Sequence, residues 1–553
     1  MLFAARSAAA LYRLLDVLPV FAGDARIARE FTLVPGSEFG IDALEAVERA
    51  GARGVPWECA LGRDYDLVLA ASPKGELSRL RGRRVLLPHG AGFGKAVPGE
   101  GTAGLPSGLD PAFLLSCGAP LAELHALAHP GQVSRLAALS PRAAERATVV
   151  GDPTLDRLLA SRGMRERYRA ALGTGGRTLL VVTSTWGPES LLRRHPGLPA
   201  ELAAELPCDA YQLALVVHPN ERSRLGSIDL AEWLSPALDA GLVLPGPYEE
   251  WAAVLVAADA VLSDHGSTAL YAAALGRPVL NAYAGGAELL PGTPMDTLLA
   301  HAPRFRGARA LPAQLAAVDA ARGQAAAEAA FAEHGRALGL LRTRLYALLG
   351  LTPPPFRVEA RPLPPPAGPA RLPTAFAVRV RLDEAAAETG AEVRVAVERR
   401  PAHGGAVGHH LAAEYGAAGE RQAQSAGLLY RRAGPAAPKG GPYRDVWTAQ
   451  GWIAEALARY PGCGAAGVVL GEDRCLLRFR TGPPYWVEVA ACREGGRLVR
   501  TDPAAVLSAL YAWLPRAAGP PSGLPAALTC LVGGHSFAVR VRRATAAEEA
   551  SVC

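Results

Sequence analysis

Four short stretches carry side chains suited to phosphate binding and proton transfer. The first, PHGAGFGK over residues 88–95, sets His89 beside Gly90, Gly92 and Gly94. Glycines let a backbone approach a phosphate and present its N–H groups, and an imidazole titrates near neutrality. It is not a Walker A loop, because Ala96 stands where Ser or Thr must follow the lysine. The second, TSTWG at 183–187, ends an apolar run on hydroxyls, with Thr185 and Trp186 before Pro188. The third, VVHPNE at 216–221, stops a strand-like run at His218, since Pro219 cannot continue a sheet. The fourth, residues 260–282, places Asp264, His265, Gly266, Ser267 and Thr268 ahead of an Ala-rich helical run to Leu275. A helix start offers unpaired N–H groups, a positive dipole end and here two hydroxyls, which together suit a diphosphate. A hydrogen-bonded loop histidine or an ordinary helix cap would use the same residue types.

These loops need a scaffold that brings them together. Ligands of doubly wound α/β sheets sit at the carboxyl ends of the strands, and each of the four stretches follows a strand-like run. Strands are expected at 31–34, 66–70 and 85–87, with a helix at 41–47, and residues 1–15 read as a first packing helix rather than an export signal. A second set of strands is expected at 179–183, 213–217, 242–244, 260–263 and 278–280, with 149–172 carrying the chain across and helices over 310–349. Continuous apolar strands separated by helices imply parallel sheets covered on both faces. Pro353 to Pro355 and Pro362 to Pro366 mark a stiff linker. Beyond it, period-two strands at 374–382, 391–398, 474–480, 485–490 and 536–542, with helices at 447–460 and 503–514, read as an α+β module. Residues 404–441 read as Gly- and Ala-rich loops, and the hexapeptide FAVRVR occurs at both 376–381 and 537–542. The expected division is thus 1–150, 151–350, a linker at 351–373, and 374–553.

Composition narrows the function class. A chain of 553 residues allows about three domains, and half its residues are hydrophobic, so it is globular. A net charge of +6 with no basic block interleaved with aromatics argues against nucleic-acid binding. No apolar run is long enough to span a membrane, which leaves room only for peripheral contact. The eight cysteines are scattered singly, which points to a reduced, cytoplasmic setting without disulfides or a zinc framework. GGHSF around Ser536 lacks the last glycine of a nucleophile elbow. His409 and His410 are adjacent, and a strand would send them to opposite faces, so no metal site is expected.

Taken in order, the loops resemble the CDP-glycerol glycerophosphotransferase family, the teichoic-acid polymerases of GT-B fold, over roughly residues 85–310. The matching residues are His89 and Gly90; Gly151, Asp152 and Pro153 with Asp156; Thr185 and Trp186; His218 and Pro219; Asp264 with Ser267; and Arg277 with Pro278. Pro291, Gly292 and Pro294 resemble a later loop of the family. The resemblance implies a GT-B-like pair of doubly wound domains, an acceptor-side one at 1–150 and a donor-binding one at 151–350. It implies a nucleotide-diphosphate donor as substrate, a hydroxyl acceptor, and neither cofactor nor catalytic metal. His89 would take the acceptor proton, and His218 with Ser267 and Thr268 would hold the donor phosphates. Gly90, Gly92, Thr185, Trp186, Asp264, His265 and Gly266 would complete the nucleotide site. Position 271, where the family often has an acid, is Tyr271. A nucleotide-sugar 2-epimerase and a degenerate GT-B protein that only binds a nucleotide remain alternatives.

Overall fold

The computed structural model describes residues 1–36, 47–48, 50–88, 90–382, 393–402, 408–433, 446–513 and 524–553. The helix expected at 41–47 and His89 therefore lie outside the described residues, apart from residue 47.

Six parallel strands form the first sheet, in the spatial order Glu30–Leu33, Leu2–Ala5, Asp64–Ala70, Arg81–Leu86, Leu124–Leu127, Ala147–Val149. The expectation of one helix over residues 1–15 is corrected here. Leu2–Ala5 is an interior strand with all four residues buried, and the helix begins only at Ala8, where the Ser7 hydroxyl accepts the Ala10 amide at 3.3 Å. Apolar residues on both faces of a strand read in sequence like the start of the Ala-rich helix that follows.

Four parallel strands form the second sheet, in the order Tyr211–Val217, Thr178–Ser184, Ala260–Ser263, Val279–Asn281. Residues 242–244, expected as a further strand, make only an isolated bridge from Val243 to Ala214. In both sheets the strand order reverses once, beside Leu2–Ala5 and beside Thr178–Ser184. Crevices open at such reversals, because the flanking connections leave to opposite faces. Helix Ala337–Leu349 returns to the first domain, where Leu338, Leu341 and Leu345 join its core.

The proline-rich stretch has neither helix nor strand, yet it is bonded along both domains. Arg26 donates to the Thr352 carbonyl at 2.8 Å, Tyr168 to the Leu363 carbonyl at 2.6 Å, and the Leu363 amide to the Ser161 hydroxyl at 2.9 Å. Beyond it, where an α+β module was expected, nine strands close into a barrel. Helix Pro503–Trp513 fills its interior: Ala504, Ala505, Val506, Leu507, Ala509 and Leu510 are buried among the inward side chains of the strands. A helix apolar all round belongs inside, and its alanines leave room for the wall. Both FAVRVR copies obey period two, with Phe376, Val378, Val380 and Phe537, Val539, Val541 inward, and Arg379, Arg381, Arg540 and Arg542 exposed. Residues 404–441 are not all loop as expected; they include strands His410–Glu414 and Leu428–Arg432 and helix Glu420–Ser425. No helix among the described residues is long and apolar enough to cross a membrane.

Candidate functional site

Both strand-order reversals face one cleft of ≈ 520 Å³ between the first two domains, a volume suited to a nucleotide-sized ligand. Gly90, Thr185, Trp186, His218, His265, Gly266, Ser267 and Thr268 line it. Asp264 and Gly92 do not reach it.

Asp264 is fully buried and holds the donor-side loops in shape. Its carboxylate accepts the amides of Thr185 at 2.9 Å, Leu191 at 2.8 Å and Gly266 at 2.9 Å. Gly266 lets the resulting turn stay tight, since a Cβ there would lie 3.1 Å from both the Asp264 carboxylate and Thr185. The turn delivers Ser267 and Thr268 to the start of helix Thr268–Ala274, and the Ser267 hydroxyl makes no capping bond. Across the cleft, a Cβ on Gly90 would lie 3.2 Å from the Ser267 Oγ, so the two domains approach closely at this point. Gly92 has φ +76° and backs onto Leu270 of the same helix.

His218 caps helix Pro219–Leu225, its Nδ1 accepting the Asn220 amide at 3.1 Å. The neutral ring therefore carries its proton on Nε2. Its ring centre lies 6.3 Å from that of Trp186. His265 is buried, with Nε2 2.9 Å from the Glu288 carboxylate. Glu288 also takes Lys95, 2.8 Å away, from the first domain. Burial pushes the Glu288 carboxyl up, but His265 and Lys95 outweigh it and hold it below the usual carboxylate range. Lys95 lies over the Trp186 ring, 4.8 Å from its centre, and bonds the Trp186 carbonyl. Backbone bonds from Leu290 to Gly94 and from Ala96 to Glu288, both 2.9 Å, complete this tie between the domains. Glu189, His265 and Glu288 bring three ligand atoms within 4.8 Å of one another. The Tyr283 hydroxyl and the Lys95 ammonium already bond the two carboxylates.

Sequence reasoning passed over the cations of the first domain. Arg6 and Arg13 line the cleft from the turn after Leu2–Ala5 and from the helix that follows. Arg13 stands over the Tyr271 ring at 5.2 Å, and its buried Nη1, 3.9 Å from Asp152, makes no hydrogen bond. The Arg6 Nε is likewise buried and unpaired. An unpaired buried guanidinium N–H is costly, so each marks a place where a ligand oxygen would be stabilised. Tyr271 donates its hydroxyl to Asp152 at 2.8 Å. The missed signal was an Arg-Ser pair directly after the first strand, hidden once that strand was taken as helix.

The chain matches no family profile and no curated protein. Among solved structures it is similar to the wall teichoic acid polymerase TagF, at 11% identity and TM-score 0.43, covering 63% of this chain and 89% of that one. It is similar to MnaA of S. aureus in complex with UDP, at 12% and 0.41, covering 64% and 97%. It is also similar to a putative UDP-N-acetylglucosamine 2-epimerase from Listeria monocytogenes, at 12% and 0.42, covering 63% and 95%. More than a third of this chain lies outside each match. Similarity at this level assigns it neither a family nor a reaction.

Proposed function

We propose that this protein is a GT-B-type transferase that moves a glycosyl or glycerophosphoryl group from a nucleotide-activated donor to a hydroxyl acceptor. The observation that carries the reading is the cleft itself, which gathers the strand-end loops of two parallel sheets around a helix start and two unpaired arginine donors. Ser267, Thr268 and the amides beside them take the donor diphosphate, and Arg6 and Arg13 face it from the other wall. As the nucleotide leaves, charge grows on its terminal phosphate, and preorganised donors stabilise that charge without reorganising. His218, at the end of its strand, lines the same wall and holds the same oxygens. His89 takes the acceptor proton in this scheme, a role that rests on the family resemblance alone. The attacking oxygen bonds to the transferred carbon or phosphorus as the bond to the nucleotide breaks, and the proton passes to the imidazole.

The test is a thermal-shift and calorimetric screen of the full chain against CDP, UDP, GDP, ADP and CMP, repeated with Ser267→Ala plus Thr268→Ala. Binding of one diphosphate, lost in the double variant, is the expected result, because a ligand of the folded state raises Tm by mass action. The reading fails if none binds at millimolar concentration.

A further inference from the structure

Arg277, which belongs to the Arg-Pro pair singled out in sequence, plays no part in the cleft. It precedes strand Val279–Asn281, at the opposite end of the second sheet. Three arginines converge there on one turn, residues 256–259, and a fourth, Arg162, bonds the neighbouring helix end. Arg277 donates to the Val256 carbonyl at 2.8 Å and Arg169 to that of Ala257 at 3.3 Å. Arg165 donates to the Ala258 carbonyl at 3.4 Å and pairs with the Asp259 carboxylate, which Arg169 shares at 2.8 Å. Arg162 donates to the Ala274 carbonyl at 2.7 Å, three residues before Arg277.

Helix capping explains part of this cluster. Helices Glu250–Ala257 and Thr268–Ala274 both end here, and cations are favourable at helix C-termini. Capping uses the Nη donors and leaves the rest. The Nε groups of both Arg165 and Arg277 are buried without a partner. Asp259 is the one carboxylate inside the cluster, and Glu166 stands 3.9 Å from Arg165 at its rim. Like charges at close range repel, and an orphaned charged donor costs more than a neutral one. The same signature, unpaired guanidinium N–H groups, marks the cleft wall at Arg6 and Arg13.

We propose that Arg162, Arg165, Arg169 and Arg277 form a second anion site, separate from the cleft, that takes a small phosphate-bearing ligand. Phosphate oxygens accept from several guanidinium forks at once, and Arg162, Arg165 and Arg277 present theirs here, while both Nη groups of Arg169 beneath them are bonded to Ala257, Asp259, Gly175 and Arg177. Arg162 is exposed and Arg165 is 27% exposed, so the ligand enters from solvent while Arg169 and Arg277 form the floor. The ends of strand Ala260–Ser263 separate this site from Ser267 by roughly 13 Å of strand.

Inorganic pyrophosphate titrated into the full chain at constant ionic strength tests this. Binding should weaken by about tenfold in Arg277→Gln, the loss of one charge-assisted bond, and by a smaller factor in Arg162→Gln. It should persist in Ser267→Ala plus Thr268→Ala, a variant whose loss of nucleotide binding bears on the cleft alone. Because Arg162 is exposed, its variant decides the matter if Arg277→Gln does not fold. Pyrophosphate affinity unchanged in both arginine variants overturns the site. So does arginine-dependent binding to anionic phospholipid vesicles that pyrophosphate does not compete away, since that places the affinity on a lipid surface.

Discussion

In the barrel, Arg399 is buried with its charge fully matched: Nε and Nη2 donate to Asp209 at 2.8 and 2.6 Å, and Nη1 donates to Asp502 at 2.8 Å. In the cleft, Arg13 is nearly as enclosed, yet it stands 3.9 Å from its nearest carboxylate and keeps one N–H unpaired. Asp209 belongs to the second domain, so Arg399 also fastens the barrel to it. Arg432 adds bonds of 2.9 Å to Asp502. A matched buried arginine serves the fold, whereas an unmatched one at a cavity wall is left for something that binds.

The largest expected effect is Arg399→Met, which strands Asp209 without its cation and leaves Asp502 with Arg432 alone. Breaking a buried pair this way costs about 3–5 kcal/mol, to be read from urea unfolding. A loss below about 1 kcal/mol would erase the contrast between barrel and cleft. Acid sharpens the same comparison. Burial pushes the Asp502 carboxyl up, yet Arg399 and Arg432 prevail and hold it well below the usual carboxylate range. A depressed carboxylate stabilises the fold above its unfolded pKa, and that contribution is lost as pH falls through the folded one. Stability should therefore hold above roughly pH 4 and decline below it, with a shallower decline in Arg399→Met.

Arg13→Gln is the counterpart in the cleft. Unfolding stability should change by less than in Arg399→Met, while nucleotide affinity falls by about 1.5–3 kcal/mol, the value of a hydrogen bond to a charged group. Calorimetry on the folded variant separates the two, and an unaltered affinity would show that Arg13 belongs with the structural arginines. The smallest effect is expected from Gly90→Ala. Its Cβ would press on the Ser267 hydroxyl, which can rotate away, so nucleotide affinity should drop only about two- to fivefold, less than 1 kcal/mol. A loss of stability with no change in affinity would instead make this contact a matter of packing.

Legibility followed the range of the interactions. The strand-end loops were readable because local chemistry fixes them: Gly266 for a tight turn, Pro219 to stop a strand, Ser267 and Thr268 to start a helix. Leu2–Ala5 was not, because its strand character comes from neighbours more than twenty residues away. The barrel was half legible. Period-two strands such as Ala375–Leu382 declared themselves, while Ala465–Val469, buried on both faces, shows no alternation to read.

By itself, then, the sequence determined the types of the site residues, the order of their loops and the alternation of strand and helix, all of which depend on groups a few residues apart. Which arginines are matched and which are left unpaired was decided only in the folded chain. Arg399 meets Asp209 across 190 residues, Lys95 meets Glu288, and Arg13 comes no closer than 3.9 Å to Asp152. Pairing of buried charge is a property of distance in space and of the water excluded around it, and neither quantity is written in the spacing of residues along the chain.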